Sequence, residues 1–460
     1  MNRPYVVSWV CLRSCRGTAC RALARGVAFV GGRGDLAPTL TPRLPWHIKG
    51  TMKICLLTYR GNMFCGGQGV YVCCLAGALQ KLGHDVHVMS GPPYASPPPG
   101  VKLHRIEGLN LYENKGFPSL SSPLGAFGPI NLYEIAGAHV GTLPDIFAFS
   151  MRAYLRLREL MPLERFDVVH DNQTLGYGLL LARSLGAPVV ATIHHPITAD
   201  LAAALAEART FRRKLRWMVF YSFLFMQGVV SRRMDRIVAV SRTSAEDTIR
   251  AFRLRDDRVR VVHNGIDTSV FRKLEGVEKV PNSIVIVGKA EDRTKGVPFL
   301  LKAVQILKGD VDVKVSVVGN QGPGDGYGVR LARDLGIGER VTFTGQVSTG
   351  ELVRLYSSAE IAVTASVYEG FGLPVAEAMA CGTPVIATRA GALPEVVGED
   401  GTGILVPPAD PPALAAAIRS LLADRPLRQR MGEAARKRVV ESFSWEAAAR
   451  KTVEVYQELL

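Results

Sequence analysis

The hydrophobic positions of this chain form short runs that alternate with glycine-rich loops and helix-like patterns. The first run, KICLLTY from Lys53, leads through the loop RGNMFCGGQG into a helix-like stretch and then into the run DVHVMS. Further apolar runs with polar ends occupy residues 166–170, 187–194 and 236–241. Such alternation of strands and helices predicts a doubly wound parallel sheet whose ligand sites lie at the carboxyl ends of the strands.

The same alternation starts again near residue 281 and predicts a second sheet. Its apolar runs are PNSIVIVG, DVKVSVVG, RVTFTG, IAVTAS and TPVIAT, which begin at residues 281, 312, 340, 361 and 383. We therefore expect an α/β protein with two Rossmann-like domains, over residues 52–275 and 276–441. Residues 442–460 have the pattern of an amphipathic terminal helix.

Two segments interrupt the alternation. Residues 91–150 are rich in glycine, proline and serine, and their length indicates a functional loop region rather than a plain connection. Residues 209–236 place the aromatic run WMVFYSFLF between arginines, a composition that could dock on an anionic membrane. Because that run is apolar on all sides rather than along one stripe, we favour a buried helix of the first domain whose arginines face water.

Composition and charge narrow the class of protein. The 460 residues are 47% hydrophobic and 21% charged, as in ordinary globular proteins, and the formal net charge is +15. Residues 1–51 contribute much of that charge, with eight basic residues against one acid. The moderately basic remainder suits anionic ligands such as sugar nucleotides or a membrane surface. Nucleic acid is disfavoured, since no RNA-binding signature or recognition-helix motif occurs.

The first 51 residues differ from the rest of the chain. They lack hydrophobic periodicity and hold three of the eight cysteines. An arginine-rich leader is typical of organellar targeting, but we favour a disordered extension or a mis-assigned start codon, with the true beginning at Met52. The other five cysteines form no CxxC pair, which favours a reduced, cytoplasmic protein without a disulfide framework.

The most informative stretch is EGFGLPVAEAMACGTPVIA, residues 369–387. It follows a strand-like run, and Pro374 suits the first turn of a helix, where its missing N–H is not needed. That helix would turn its free N–H groups and partial positive charge toward the preceding loop and form an anion site. Gly370 and Gly372 allow the backbone to approach a ligand closely.

Two glutamates bracket this turn. Glu369 precedes it and Glu377 is expected in the first helical turn, so both could face one ligand and accept hydrogen bonds from its paired hydroxyl groups, as sugars and ribose offer. A glutamate that only favours the helix N-terminus would explain Glu377 alone.

In order and spacing, these motifs resemble the retaining glycosyltransferases of family four, whose GT-B fold has two Rossmann-like domains facing across a cleft. The resemblance covers residues 52–460 and includes motifs at both ends of the chain. Besides residues 369–387, the matching motifs are the GG loop (Gly66, Gly67), TIHH (192–195), AVS (239–241), HNGID (263–267), Gly288 with Lys289, Lys295 with Gly296, GALPEVV (391–397) and GILVPP (403–408).

The resemblance implies roles for the residues of the second domain. Glu377 matches the glutamate that holds the nucleotide ribose. Glu369 matches the catalytic glutamate near the donor sugar, and the backbone from Gly370 through Phe371 and Gly372 to Leu373 would face the sugar hydroxyls and phosphate. Lys295 matches the lysine that binds the diphosphate. Lys289 stands where the family usually has arginine, and it lacks the bidentate fork of that residue, which Arg293 could supply instead.

In the first domain, the resemblance implies three further residues. His194 is similar to the catalytic histidine that faces the donor sugar, the alternative being a satisfied core histidine at a strand end. Gly66 and Gly67 would let backbone amides approach the donor phosphate or the acceptor. The terminal helix, 442–460, would cross back to this domain.

The implied activity is that of a hexosyl- or related glycosyltransferase. It would move a sugar with retention from a nucleotide-sugar donor to an unidentified glycan, lipid-linked or small-molecule acceptor. Such an enzyme of carbohydrate or cell-envelope glycan metabolism would be cytoplasmic. Peripheral contact with the inner face of the membrane through residues 209–236 is the alternative to the buried helix that we favour for that segment. Lysines and a helix N-terminus can stabilise the leaving diphosphate, so neither metal nor cofactor is expected. The sequence Asp310-Val311-Asp312 is interpreted as surface charge rather than a metal motif.

Three alternatives stay open at this point. A glycoside hydrolase also uses two carboxylates but needs neither Lys289 nor Lys295. A sugar-nucleotide epimerase of the same fold would share the donor site, and a non-catalytic module would bind the nucleotide-sugar alone. Release of nucleotide diphosphate only in the presence of an acceptor would separate a transferase from all three.

Overall fold

The computed structural model describes residues 50–61, 68–110, 128–319 and 326–460. By its internal contacts the chain divides into two compact units. The larger unit is Ala191–Lys451, and the smaller unit holds the described residues up to Val190 together with Thr452–Leu460. The domain boundary near residue 275 stays a prediction.

The first sheet has seven strands, and its central strands are buried along their whole length. The strands are β1 (Lys53–Thr58), β2 (Asp85–Ser90), β3 (Lys102–Arg105), β4 (Val168–Asn172), β5 (Val189–Ile193), β6 (Arg236–Ala239) and β7 (Val259–Val261). They lie in the order β3-β2-β1-β4-β5-β6-β7. Every residue of β4 and β5 is buried, as expected for parallel strands covered on both faces.

Eight helices accompany this sheet in the described part of the chain. They are α1 (Gln68–Lys81), α2 (Pro129–Val140), α3 (Asp145–Glu164), α4 (Gly178–Ala182), α5 (Thr198–Glu207), α6 (Phe211–Phe220), α7 (Phe223–Ser231) and α8 (Arg242–Phe252). The expectation of a loop region over residues 91–150 was wrong in part, because β3, α2 and the start of α3 fall within it. Residues 111–127 of that segment lie outside the described residues.

The second sheet has six strands. Its strands are β8 (Ser283–Val287), β9 (Lys314–Val318), β10 (Val341–Gly345), β11 (Ile361–Thr364), β12 (Val385–Thr388) and β13 (Ile404–Val406). Its order is β10-β9-β8-β11-β12-β13, with every neighbouring pair parallel. The chain order reverses between β8 and β11, and ligands of open α/β sheets bind at such a switch point.

Helices cover the faces of the second sheet and enclose two buried apolar clusters. They are α9 (Val297–Leu307), α10 (Tyr327–Asp334), α11 (Thr349–Ser358), α12 (Leu373–Ala380), α13 (Leu393–Val397), α14 (Pro411–Ala423) and α15 (Arg425–Ser442). The last helix of the chain is α16 (Trp445–Gln457). Leu300 of α9 belongs to one cluster and Met379 of α12 to the other, each with no exposed surface. The predicted α/β architecture of two parallel sheets is confirmed.

The terminal helix α16 has residues in both units. Trp445, its first residue, packs against Gly265 of the larger unit so closely that a Cβ on that glycine would lie 2.3 Å from the indole ring. Near its end, the buried hydroxyl of Tyr456 lies 2.5 Å from Nδ1 of His170 on β4, within the smaller unit.

The preferred interpretation of residues 209–236 as a buried helix was wrong for half of the segment. Helix α7 is largely buried, but α6 has no buried residue. Phe211 and Met218 of α6 are 79% and 57% exposed, and Phe225 of α7 is 75% exposed. The apolar character of the run misled the prediction, since a short run of aromatic residues does not reveal whether another element packs over it.

Candidate donor-binding site

The predicted donor residues of the second sheet follow the two strands at its switch point. Lys289 and Lys295 follow β8, while Glu369 follows β11, which is paired with β8 in parallel. The carboxyl ends of parallel strands meet at one edge of the sheet, so the fold places these side chains at the same edge.

Lys295 and Glu369 form an ion pair that joins the two loops. The Lys295 ammonium nitrogen lies 3.1 Å from Oε1 and 3.0 Å from Oε2 of Glu369. The Ser366 hydroxyl donates a further hydrogen bond of 3.1 Å to Oε2. The Glu369 carboxylate thus has three contacts and only 13% exposure of its side chain, which holds it in one orientation before any ligand binds.

The charge of Lys295 is maintained by its partner. Burial alone would lower the pKa of Lys295, but the attraction and hydrogen bonds of Glu369 outweigh that effect and raise it. The side chain is 31% exposed, so the ammonium is charged and reachable by an anion. This arrangement suits a phosphate oxygen that approaches from solvent.

Two glycines let the backbone pack tightly around this pair. Gly296 has a φ of +70°, and a Cβ there would lie 1.8 Å from the carbonyl oxygen of Ala365. Gly391 has a φ of +53°, and a Cβ there would lie 2.1 Å from the carbonyl oxygen of Glu369. The Ala392 N–H donates to that same carbonyl at 2.9 Å. Any larger residue at position 391 would therefore displace Glu369.

Helix α12 starts next to this loop as predicted, but Glu377 lies deeper in it than expected. Gly372 caps the helix with a φ of +97°, and Pro374 occupies the first turn. No acidic residue stands in that turn, and Glu377 is the fifth residue of the helix. The first-turn placement of Glu377 was wrong because the helix begins at Leu373, two residues after the aromatic residue of the loop.

The pKa of the Glu377 carboxyl group is shifted by its surroundings. It is half-buried, and burial raises its pKa to about 8, although a 3.4 Å hydrogen bond from the Tyr356 hydroxyl opposes the shift. Burial therefore favours the protonated form of this carboxyl group, which can both donate and accept hydrogen bonds. Glu369 and Glu377 have different partners, and their action on one ligand stays a prediction.

His194 directly follows β5 and lies beside the loop of Glu369 in the larger unit. A Cβ on Gly370 would lie 3.3 Å from the His194 carbonyl oxygen. The same oxygen accepts a hydrogen bond of 2.9 Å from the Ser244 hydroxyl. The imidazole is half-buried, and burial together with the neighbouring His195 lowers its pKa to about 3. His194 is therefore neutral at physiological pH.

The remaining predicted residues lie after β8, around the start of α12, or outside the described part of the chain. Lys289 is half-buried after β8, and Gly288 before it packs against the side chain of Lys295. Phe371 is buried, and its ring centroid lies 5.8 Å from that of Phe443, so it packs beneath the loop. Leu373, by contrast, is 38% exposed. Gly66 and Gly67 lie outside the described residues, and so does the side chain of Arg293.

Sequence reasoning missed Glu395, which has the densest polar contacts of this region. Its carboxylate accepts hydrogen bonds from the N–H groups of Arg242 and Thr243 at 2.9 and 3.1 Å, at the N-terminus of α8. It also lies 3.2 Å from Nε2 of His263. The hydroxyl of Ser241, which caps α8, donates a hydrogen bond of 2.8 Å to the Gly370 carbonyl oxygen. The motif GALPEVV contained the signal, but nothing in its spacing indicates a partner near residue 242.

The two aspartates of the Asp310-Val311-Asp312 sequence are engaged in surface ion pairs. Asp310 lies 2.5 Å from Arg419, and Asp312 lies 3.6 Å from Arg340. They precede β9 rather than open it, since that strand begins at Lys314.

Comparison with known proteins identifies the class of enzyme. The family model described as "Glycosyl transferases group 1" matches residues 267–438, and that described as "Glycosyltransferase Family 4" matches residues 65–270. The MMP alpha-(1->4)-mannosyltransferase of Mycolicibacterium hassiacum is 42% identical over 413 residues, which cover 89% of this chain and 98% of that relative. A D-inositol 3-phosphate glycosyltransferase of Paenarthrobacter aurescens is 29% identical over 414 residues, 85% of this chain and 93% of that protein.

Solved structures share the architecture. Sucrose-phosphate synthase from Thermosynechococcus elongatus superposes with a TM-score of 0.64 at 25% identity, over 89% of this chain and 99% of that chain. Anabaena HepE, solved in complex with UDP and glucose, has a TM-score of 0.61 at 18% identity over 88% and 98% of the two chains, a likeness of fold alone.

The chain therefore belongs to the group 1, family 4 glycosyltransferases and has their GT-B fold. It is a glycosyltransferase enzyme. Among the described residues, no helix is both long and apolar enough to span a membrane.

Proposed function

We propose that this enzyme transfers a hexosyl group, with retention, from a nucleoside diphosphate sugar to an acceptor hydroxyl and requires no metal ion. The observation that carries the proposal is the Lys295–Glu369 ion pair beside the N-terminus of α12. An ammonium group and a helix N-terminus next to each other suit a diphosphate that leaves with negative charge.

The reaction breaks the bond between the anomeric carbon and the diphosphate oxygen, and the acceptor oxygen bonds to the same face of that carbon. The acceptor proton passes to the leaving phosphate. Lys295 and the N–H groups of α12 would stabilise the charge on the phosphate, while the Glu369 carboxylate would favour the positive charge that develops on the sugar. Neutral His194 would hydrogen-bond a sugar hydroxyl, and Glu377 the ribose.

The sugar and linkage are proposed from the mannosyltransferase relative. That protein carries "alpha-(1->4)" in its name and is 42% identical to this chain over almost its full length. We infer that mannose is the first donor sugar to test and that the acceptor is a glycan with a free 4-hydroxyl. Lys289 and the exposed edge of Leu373 would lie toward the donor phosphate and sugar.

The test is a thermal-shift screen of the full chain against UDP-, GDP- and ADP-sugars, each with and without EDTA. Stabilisation by one nucleotide class, unchanged by EDTA, supports the donor site and its independence of metal. No stabilisation by any of them, from folded protein, would refute the proposed donor site. Stabilisation that disappears only when EDTA is added would refute metal independence alone.

Catalysis needs a second measurement. Nucleotide diphosphate released only when an oligosaccharide acceptor is present indicates transfer, whereas acceptor-independent release indicates hydrolysis. Interconversion of the sugar without release would indicate an epimerase. The anomeric configuration of the product, read by NMR, decides retention.

We also propose that the enzyme works on the cytoplasmic side of a membrane and contacts its anionic lipids through α6. The helix has basic residues among its exposed apolar ones, a combination typical of interfacial helices. The basic residues are Arg212, Arg213, Lys214 and Arg216. Co-sedimentation with vesicles of phosphatidylglycerol but not of phosphatidylcholine would support this contact, and absence from both pellets would refute it.

A further inference from the structure

A cluster of charged and imidazole groups lies at the amino ends of the first strands of the smaller unit. It contains none of the residues predicted for the donor site. Asp85 begins β2, His87 follows two residues later on the same face of that strand, and Glu164 ends α3. One ligand-type atom from each of these three residues lies within 4.8 Å of the other two.

The imidazole of His87 gives this cluster an unsatisfied buried atom. The side chain has no exposed surface, and its Nε2 has no hydrogen-bond partner among the residues that the structure describes. That nitrogen points toward the two carboxylates, at 3.4 Å from Oδ1 of Asp85 and 3.8 Å from Oε2 of Glu164. Buried polar atoms are nearly always paired, so this nitrogen requires an explanation.

The surroundings of His87 orient it as a ligand. Its other ring nitrogen, Nδ1, lies 3.0 Å from Nε2 of His104, and the two rings stack at 5.1 Å between centroids. The edge of Phe166 packs at 4.9 Å from the ring of His87. With the proton on Nδ1 donated to His104, the lone pair of Nε2 faces the carboxylates. Histidines that bind metals are held in this way by a hydrogen bond from the second nitrogen.

The distances from Nε2 of His87 to the two carboxylates can be compared with those around a small divalent cation. Zinc bonds of about 2.0–2.2 Å in tetrahedral geometry place neighbouring ligand atoms about 3.3–3.6 Å apart. The distance from Nε2 of His87 to Asp85 is 3.4 Å, within that range, and the distance to Glu164 is 3.8 Å, slightly above it. We propose that Asp85, His87 and Glu164 bind one divalent cation of the zinc class, with water in the fourth position.

The three groups supply ligand atoms of the kind that zinc binds. Zinc is bound in proteins by imidazole nitrogens and by the carboxylate oxygens of aspartate and glutamate, and a site with three protein ligands holds water in the fourth position.

Two lysines compete with the cation for the same oxygens. Lys53 Nζ lies 2.8 Å from Oε2 of Glu164 and 3.4 Å from Oδ2 of Asp85, and Lys102 Nζ lies 3.8 Å from each of those oxygens. Their side chains are 28% and 53% exposed, so both can turn into water on long flexible stems. Cation binding thus exchanges one positive charge for another, and removal of Lys53 should strengthen it.

The test is a titration of the EDTA-treated full chain with Zn²⁺ by calorimetry and with Co²⁺ by visible absorbance. We expect one equivalent to bind and the Co²⁺ spectrum to show a tetrahedral band. Lys53→Met should tighten binding by about tenfold, since it removes a competing unit charge. His87→Gln and, separately, Glu164→Gln should abolish it, while the exposed His139→Gln should leave it unchanged.

Three outcomes would overturn the assignment. They are no uptake of either metal by the folded wild-type chain, uptake that survives both His87→Gln and Glu164→Gln, and a Lys53→Met variant that binds no better than wild type. Glu164 is partly exposed at a helix end, so its substitution tests the site even where the change at buried His87 prevents folding. Sugar-transfer activity does not enter the test.

Discussion

In the loop between β11 and α12, Glu369 is held through its side chain by Lys295 and Ser366 and through its backbone by Ala392. In α6, by contrast, no residue is buried, and Phe211 is 79% exposed. Both regions lie in the larger unit. A substitution near Glu369 therefore acts through contacts that are already present, whereas a substitution in α6 acts only through a partner that binds there.

The largest effect is expected from Lys295→Ala. It removes the cation for the diphosphate and leaves the Glu369 carboxylate partly buried without its ion pair. We expect nucleotide affinity to weaken and kcat/KM to fall by about 10²–10³, the cost of losing one charge-stabilising group. The exposed Lys302→Ala on α9 is the control. Equal nucleotide affinity in the two variants would refute the role of Lys295.

A steric change should come next, with Gly391→Ala compared with Gly401→Ala. Both glycines have positive φ, +53° and +75°, but only at position 391 does a Cβ meet another atom within 4 Å, the Glu369 backbone. We expect Gly391→Ala to lower the free energy of unfolding by about 1–3 kcal/mol more than its counterpart. It should also reduce turnover by about 10²-fold through displacement of Glu369. Chemical denaturation and kinetics measure both, and similar behaviour of the two variants would contradict the packing argument.

The substitution His194→Ala tests a contact to the donor sugar rather than the packing around Glu369. Loss of one hydrogen bond to the sugar in the transition state should lower kcat by about tenfold while nucleotide binding stays unchanged. Steady-state kinetics and calorimetry together measure this, with exposed His139→Ala as the control. Unaltered kcat would indicate that His194 is a core histidine at a strand end.

A smaller effect is expected in the pH dependence of stability through Glu377. Its pKa is raised from 4.5 to about 8 in the folded protein, so the folded state binds the proton more tightly than the unfolded state. The stability from this group is present below the lower value and is lost as pH rises through the higher one. The Tm of Glu377→Gln minus that of wild type should therefore increase from about pH 5 to about pH 8.

The exposed Glu433→Gln on α15 provides the control for this titration. Its Tm difference from wild type should stay flat over the same range. A flat difference for Glu377→Gln as well would show that its carboxyl titrates normally. Nucleotide affinity should fall in Glu377→Gln less than in Lys295→Ala.

The smallest effect on stability is expected from Phe211→Ser in α6. The side chain is largely exposed, so the free energy of unfolding should change by no more than about 0.5 kcal/mol. Affinity for phosphatidylglycerol vesicles should fall by about tenfold, because the variant loses the free energy of burying one aromatic ring in the bilayer. Val140→Ser, at a site 70% exposed on α2, is the matched control. Equal vesicle binding by both variants would refute the contact through α6.

The fold and the class of enzyme were predictable from the chain. The alternation of apolar runs with loops and helix-like patterns indicated β8 and β11. Pro374 marked the start of α12 to within one residue. The contacts of Glu395 were not predictable, because its partners at residues 242 and 243 lie more than a hundred positions away. The exposure of α6 was also missed, since aromatic content does not show which element covers a helix.

Some features of this protein follow from local sequence patterns, and others depend on contacts between distant segments. The two parallel sheets and the loop–helix motif around Glu369 can be predicted from the amino-acid sequence, because strand and helix patterns and turn residues act over a few neighbouring positions. The three-dimensional structure was needed to show that Lys295 pairs with Glu369, 74 positions away, and that Glu164 lies near Asp85 and His87. Pairings of that kind depend on how distant segments pack, and no local pattern encodes which side chain will stand opposite another.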